Sequence, residues 1–245
     1  MTNASKTSSY SDDTSKNVHA VLIPGFWLGS WAWQDVEPPL QSAGITTHPM
    51  TLPGLDGQRT EGVTLDDHIE AVVGLIEGLN GEIVLVGHSG GGAVVQGVLD
   101  RQPDRVRRVV YVDSGPLLNG SALMPEAGVD VPLPSWDELA AQHSSIEGID
   151  DEALERFRQL AVDQPVGVAS ATIRVTNDRR HDVPASMICS SFDSETIRQM
   201  IDSGAMPSEL GSVRDVRFVD LPTGHWPMFS RAADLAEVLQ TEILI

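Results

Sequence analysis

The chain reads as an α/β protein with a mainly parallel, twisted sheet flanked by helices, on three observations. Short apolar runs such as Ile83 to Val86 and Val106 to Val112 are rich in β-branched residues and lack the alternation of a half-exposed strand, as strands covered on both faces do. Between them lie stretches with helical spacing, the clearest running through Leu65, Ile69, Val72, Val73, Ile76 and Leu79. Finally, Gly87-His88-Ser89-Gly90-Gly91 joins an apolar run to a small-residue helix start, a strand-to-helix turn of the G-x-S-x-G kind.

The 245 residues suffice for one such core, expected over 17–245, with a small insertion over about 116–183. Residues 1–16, rich in Ser, Thr, Asn and Asp, are expected to form a disordered tail; they contain no apolar segment of the signal-peptide kind, so a cytoplasmic location is expected. No apolar run approaches membrane-spanning length. The 35 acidic residues outnumber the 16 basic ones, a net charge of −19 that repels phosphate backbones and anionic lipid surfaces and favours a neutral small molecule as partner. Nothing in the composition assigns an oligomeric state. The single cysteine, Cys189, lies in an apolar run and reads as a small buried hydrophobe.

Taken in order, Asn17 to Pro24 is the first buried strand, stopped by Pro24-Gly25. Trp31 and Trp33 read as core, whereas Phe26, directly after the strand-ending Pro-Gly, can turn its backbone N–H toward the serine turn. A helix is expected from Ser30 to Leu40, interrupted near Pro38-Pro39. Ile45 to Leu52 is the second strand, and Thr64-Leu65-Asp66-Asp67 is a capping box for the helix that follows, with His68 on its surface. After the serine turn come a helix from Gly90 to Arg101 and a strand from Val106 to Val112 that ends at Asp113. From there to about Val183 the strand–helix alternation lapses into Pro-rich loops and two helical stretches, near Trp136 to His143 and Asp151 to Asp163. This insertion is expected to be a cap over the site, with substrate-selecting residues among Leu117, Leu118, Leu123, Met124, Trp136, Leu139 and Phe157. A strand from Pro184 to Phe192, a helix from Ser194 to Ser203, a strand from Val213 to Leu221 and a closing helix from Ser230 complete the chain.

At the serine turn, the residues two positions to either side of Ser89 are glycines because side chains there would collide on so sharp a bend. The hydroxyl then stands above the sheet, and the N–H groups that follow it open a helix, where unpaired donors favour a developing oxyanion. Ser89 needs a base to become nucleophilic. His225 lies in the loop Gly224-His225-Trp226-Pro227 after the last strand; His19, His48, His68, His88, His143 and His181 read as strand ends, exposed helical positions or a neighbour of the serine that points elsewhere. Histidines and acids nowhere take metal-ligand spacing, no dinucleotide fingerprint is present, and no cofactor is expected.

Together, Val21-Leu-Ile-Pro-Gly-Phe-Trp-Leu-Gly-Ser-Trp-Ala-Trp, Leu52-Pro-Gly, Gly87-His-Ser-Gly-Gly, Val110-Tyr-Val-Asp and Gly224-His-Trp-Pro resemble the α/β-hydrolase fold superfamily from Asn17 to the C-terminus. The first and last are most similar to the branch that holds small esterases, plant methyl-ester hydrolases and hydroxynitrile lyases; where that branch usually has His-Gly after the opening strand, this chain has Pro24-Gly25. The resemblance implies a Ser-His-Asp acyl-enzyme mechanism on a small, neutral carboxylic ester, with Ser89 as nucleophile, His225 as base and an oxyanion hole from the backbone N–H groups of Phe26 and Gly90. In this fold the acid follows either of two strands. Asp113 ends its strand with no helix to cap and is the first choice; Asp193 is the alternative, although it also opens a helix. Hydroxynitrile-lyase-type chemistry, cofactor-free oxygenase chemistry and a non-enzymatic ligand receptor are the competing readings of the same fold.

Overall fold

The computed structural model describes residues 17–58, 61–142 and 144–245; the expected tail over 1–16 and His143 lie outside the described residues. Six strands, β1 Val18–Ile23, β2 Ile45–Pro49, β3 Glu82–His88, β4 Arg108–Val112, β5 Ala185–Cys189 and β6 Val216–Asp220, form one sheet in the order β2-β1-β3-β4-β5-β6. Every neighbouring pair runs parallel. β1, β4 and β5 are buried along their whole length, which is why they are written in apolar residues without alternation, while the edge strand β6 is only partly covered.

The chain steps from β1 outward to β2, then returns past β1 to β3 and proceeds in the other direction. That reversal opens a crevice above the C-terminal ends of β1 and β3, the place where open parallel sheets bind ligands. Phe26 and Ser89 lie just beyond those two strand ends.

The helices are α1 Glu37–Ser42, α2 Leu65–Glu77, α3 Gly91–Arg101, α4 Trp136–Ala141, α5 Asp151–Leu160, α6 Val166–Ala169, α7 Ser194–Asp202, α8 Pro227–Ser230 and α9 Ala232–Leu244. Two pairs, α2 with α3 and α1 with α9, pack together against the sheet. The capping box forms at Thr64 and Asp67. His68, expected on the surface, is instead 1% exposed: the loop after β2 folds over this side of α2, and the imidazole Nε2–H donates to Pro53 O at 2.9 Å. Pro38 and Pro39 do not interrupt a helix but lie in the first turn of α1, where a missing N–H leaves no internal bond unmade; Ser30–Trp33 is a separate 3-10 turn. The last strand is shorter than expected, Val216–Asp220 instead of Val213 to Leu221, and follows a further 3-10 turn at Glu209–Ser212. Among the described residues no helix is long and apolar enough to cross a membrane.

The excursion between β4 and β5 carries α4, α5 and α6. It is fastened by Phe157 of α5, which is fully buried with its ring 5.3–6.1 Å from those of Trp31, Trp136, Trp226 and Phe229. Such ring pairs add about 0.5–1.5 kcal/mol each beyond their burial.

Candidate active site

Ser89 sits between β3 and α3 with φ 49°. The turn closes only on glycine at its flanks: a Cβ at Gly87 would lie 2.7 Å from Val95 Cγ2, and one at Gly91 would lie 2.7 Å from Pro24 O. Among the described residues, only Trp27, Ser89 and Asp113 take a positive φ without being glycine; Ser89 and Asp113 line the same cavity, and Trp27 follows Phe26 past the end of β1. A left-handed L-residue costs roughly 1–2 kcal/mol. Strain of that kind persists only where its surroundings over-determine it.

The loop after β6 brings His225 over the serine. Its Nε2 is 2.8 Å from Ser89 Oγ and its Nδ1 is 2.5 Å from Asp113 Oδ2. With Nδ1–H donating to the carboxylate, Nε2 is the free acceptor for the hydroxyl proton. The turn after β5 holds Asp113: Ser190 N and Ser191 N donate to Oδ1 at 3.1 and 2.9 Å, and the Ser191 hydroxyl donates to Oδ2 at 2.6 Å. Burial by itself raises the pKa of Asp113, but the hydrogen bond and charge of His225, with the Ser191 donors, outweigh it and keep the carboxyl below its usual range.

His88, buried beside the serine, donates from Nε2 to His225 O at 2.8 Å and so braces the loop rather than entering the crevice. Burial and then the neighbouring His225 pull its pKa to about 3, so it stays neutral. The alternative acid, Asp193, is exposed and accepts from Thr196 N at 2.7 Å as the N-cap of α7; its carboxylate is committed to the helix, and that backbone hydrogen bond lowers its pKa.

The Gly25–Phe26 segment abuts the serine turn. A Cβ on Gly25 would lie 2.8 Å from Ser89 Cβ, and one on Gly90 would lie 2.5 Å from Phe26 Cδ1. Neither Phe26 N–H nor Gly90 N–H donates to another group among the described residues, so both are free for a ligand oxygen. Cys189 is buried, and desolvation first, then nearby carboxylates, push its thiol up to about 12. Among the described residues no three His, Cys, Asp or Glu side chains converge as metal ligands.

A cavity of about 330 Å³ opens on Ser89, Asp113 and His225, with no Lys or Arg in its lining. Of the seven residues expected to select substrate, only Leu117 and Leu123 line it. Phe157 and Leu139 are core, Trp136 packs on Phe157, and Met124 and Leu118 are not in the lining. Much of the apolar wall comes instead from after β5: Phe192, Ile197, Ile201, Met206 and Leu210. The signal was present in the sequence, since Ile197 and Ile201 are four apart on one face of a helix that follows directly on a strand end.

Residues 20–238 match the sequence model of the alpha/beta hydrolase family. A carbendazim hydrolyzing esterase from Nocardioides sp. (strain SG-4G) is 40% identical over 109 residues, 42% of this chain and 45% of that protein. Methylesterase 3 from Arabidopsis thaliana is 30% identical over 138 residues, 54% of this chain and 49% of that protein. The matched stretches thus take in less than half the length of either relative. Solved structures agree over nearly the whole chain. A pyrethroid hydrolase from Sphingobium faniae JZ-2 has a TM-score of 0.68 at 21% identity, covering 93% of this chain and 98% of its own. A methylesterase from Arabidopsis has a TM-score of 0.71 at 20% identity, covering 93% and 99%. At those identities the likeness is one of fold.

Proposed function

The chain belongs to the alpha/beta hydrolase family, and from that premise we propose that it is a carboxylic ester hydrolase acting on a small, neutral ester through an acyl-enzyme. The observation that carries this reading is the unbroken chain from Ser89 Oγ through His225 to Asp113, at 2.8 and 2.5 Å. Esterase and methylesterase relatives point the same way, and an apolar cavity without a cation suits an uncharged substrate.

In this mechanism His225 Nε2 takes the proton from Ser89 Oγ as the oxygen attacks the ester carbonyl. Asp113 fixes the tautomer and stabilises the imidazolium that forms. The tetrahedral oxyanion lies between the N–H groups of Phe26 and Gly90. The imidazolium then protonates the departing alcohol, and water, deprotonated by His225, releases the acid from Ser89. The cavity, formed by Leu117, Leu123 and the segment after β5, receives the substrate's apolar part. Lyase-type chemistry draws no comparable support, because the lining offers no Lys or Arg for a leaving cyanide. A cytoplasmic location belongs to the same proposal, supported by a cysteine with no partner for a disulfide.

Hydrolysis of short p-nitrophenyl esters tests the reading. Ser89→Ala is expected to lower kcat by at least roughly 10³-fold with the protein still folded. Activity unchanged by that substitution would end the acyl-enzyme proposal.

A further inference from the structure

Trp27 is the odd member of the three strained positions. Ser89 and Asp113 present reacting groups from tight turns; Trp27 presents none, yet its φ is 67°. Its polar groups are instead taken up by the β4–β5 excursion. Trp27 N donates to Gln164 Oε1 at 3.3 Å, the indole Nε1–H donates to Val131 O at 2.9 Å, and Trp27 O accepts from Val162 N at 3.1 Å. Val131 and Gln164 are joined to each other by two backbone hydrogen bonds of 2.9 Å, so two of the three contacts come from one small ladder, and the third comes from Val162 just before it. Gln164 is 1% exposed, and its Nε2 meets no acceptor among the described residues. The bond to Trp27 N is therefore the one hydrogen bond that this buried side chain makes among them, and it is what offsets the burial of the amide.

Trp27 follows Phe26 directly. Upstream, the chain is anchored by β1; downstream, by the 3-10 turn Ser30–Trp33. Were Trp27 to relax to an ordinary negative φ between those fixed ends, the short segment Gly25–Phe26 would have to absorb the rotation, and the Phe26 N–H would swing with it.

We infer that the excursion between β4 and β5 positions the oxyanion hole: the Val131–Gln164 ladder and Val162 hold Trp27 left-handed and so keep the Phe26 N–H aimed at the reacting carbonyl. Gln164 is a positioning residue in this scheme, since it acts through Trp27 and not on the substrate. The inference rests on the proposed acyl-transfer reading and adds to it. The excursion shapes the cavity and also completes the electrostatic site, so undocking it lowers the rate of the chemical step as well as the fit of the substrate.

The test uses Gln164→Met, which keeps the volume and loses the acceptor, and Trp27→Phe, which loses the indole donor together with part of the ring's buried bulk. Three quantities are read on protein shown to be folded by circular dichroism: kcat and KM for p-nitrophenyl acetate, and the inhibition constant of an alkyl trifluoromethyl ketone. In that inhibitor's adduct Ser89 Oγ bonds to the ketone carbon, its proton passes to His225, and the former carbonyl oxygen becomes the oxyanion that the hole must hold. Gln164→Met is expected to lower kcat by about tenfold and to raise the ketone's inhibition constant by the same factor, with KM changing less than about twofold. Trp27→Phe should move both in the same direction by a smaller factor. Unchanged kcat and inhibition constant in either folded variant, or a rise in KM alone, would overturn the inference; if Gln164→Met fails to fold, Trp27→Phe carries both outcomes. Ser89→Ala, run alongside, separates the two levels: full activity there removes the acyl-enzyme reading itself, whereas lost activity with an unmoved inhibition constant in the positioning variants removes only this inference.

Discussion

Two aspartates follow neighbouring strands of the same sheet and meet opposite fates. Asp113 comes directly after β4 at φ 44°, its side chain 8% exposed, and the donors that hold it are Ser190 and Ser191, the first residues after β5. Asp193 comes four residues after β5, exposed, and spends its carboxylate on the first turn of α7. The turn after β5 thus supplies the cradle for the other strand's acid rather than an acid of its own. A carboxylate near a strand end goes to whichever unpaired donors reach it first, and an adjacent helix start is the nearest such competitor.

Substitution at the two positions is the strongest way to break that contrast. Asp113→Asn is expected to lower kcat for p-nitrophenyl acetate by roughly 10³–10⁴-fold, since the imidazole loses its tautomer and its counter-charge, while Asp193→Asn stays within about twofold. Equal losses at both sites would show that the contrast is not a functional one.

Acid titration sharpens it. Asp113 has a folded pKa below its unfolded one, near 3.9, so ionised Asp113 contributes stability that is fully present above that value and lost as pH falls through the folded pKa. Urea denaturation across this range is expected to shift the difference between wild type and Asp113→Asn steadily in favour of the variant as pH falls below about 4. A difference independent of pH would mean that the paired carboxylate is not held ionised. The smallest effect belongs to the cap: Asp193→Ala leaves the N–H of Thr196 unpaired and is expected to lower Tm by about 2–4 °C, with kcat unmoved. No change in Tm would show that α7 does not depend on that bond.

The elements and much of the site were legible because their signals are local. The apolar runs of β1, β3, β4 and β5 need only to be covered on both faces, Thr64 and Asp67 need only each other, and the glycines around Ser89 answer to the turn they sit in. The structure brings Ser89, His225 and Asp113 together, and all three stand at strand ends that sequence pattern alone locates. His68 and Phe157 misled because their surroundings come from far along the chain: a loop folded over α2 in one case, and rings from 31, 226 and 229 in the other.

What the sequence determined unaided is thus the alternation of strands and helices, the serine turn and the histidine loop, each written within a dozen residues by periodicity and by glycine placement. Which carboxylate meets the imidazole, which side chains wall the cavity, and why a tryptophan beside the crevice is left-handed were decided only by tertiary structure. Those outcomes depend on donors and surfaces 70 to 140 residues away, such as Ser191 for Asp113 and Gln164 for Trp27, and a hydrogen bond across that separation leaves no periodic trace in the chain that forms it.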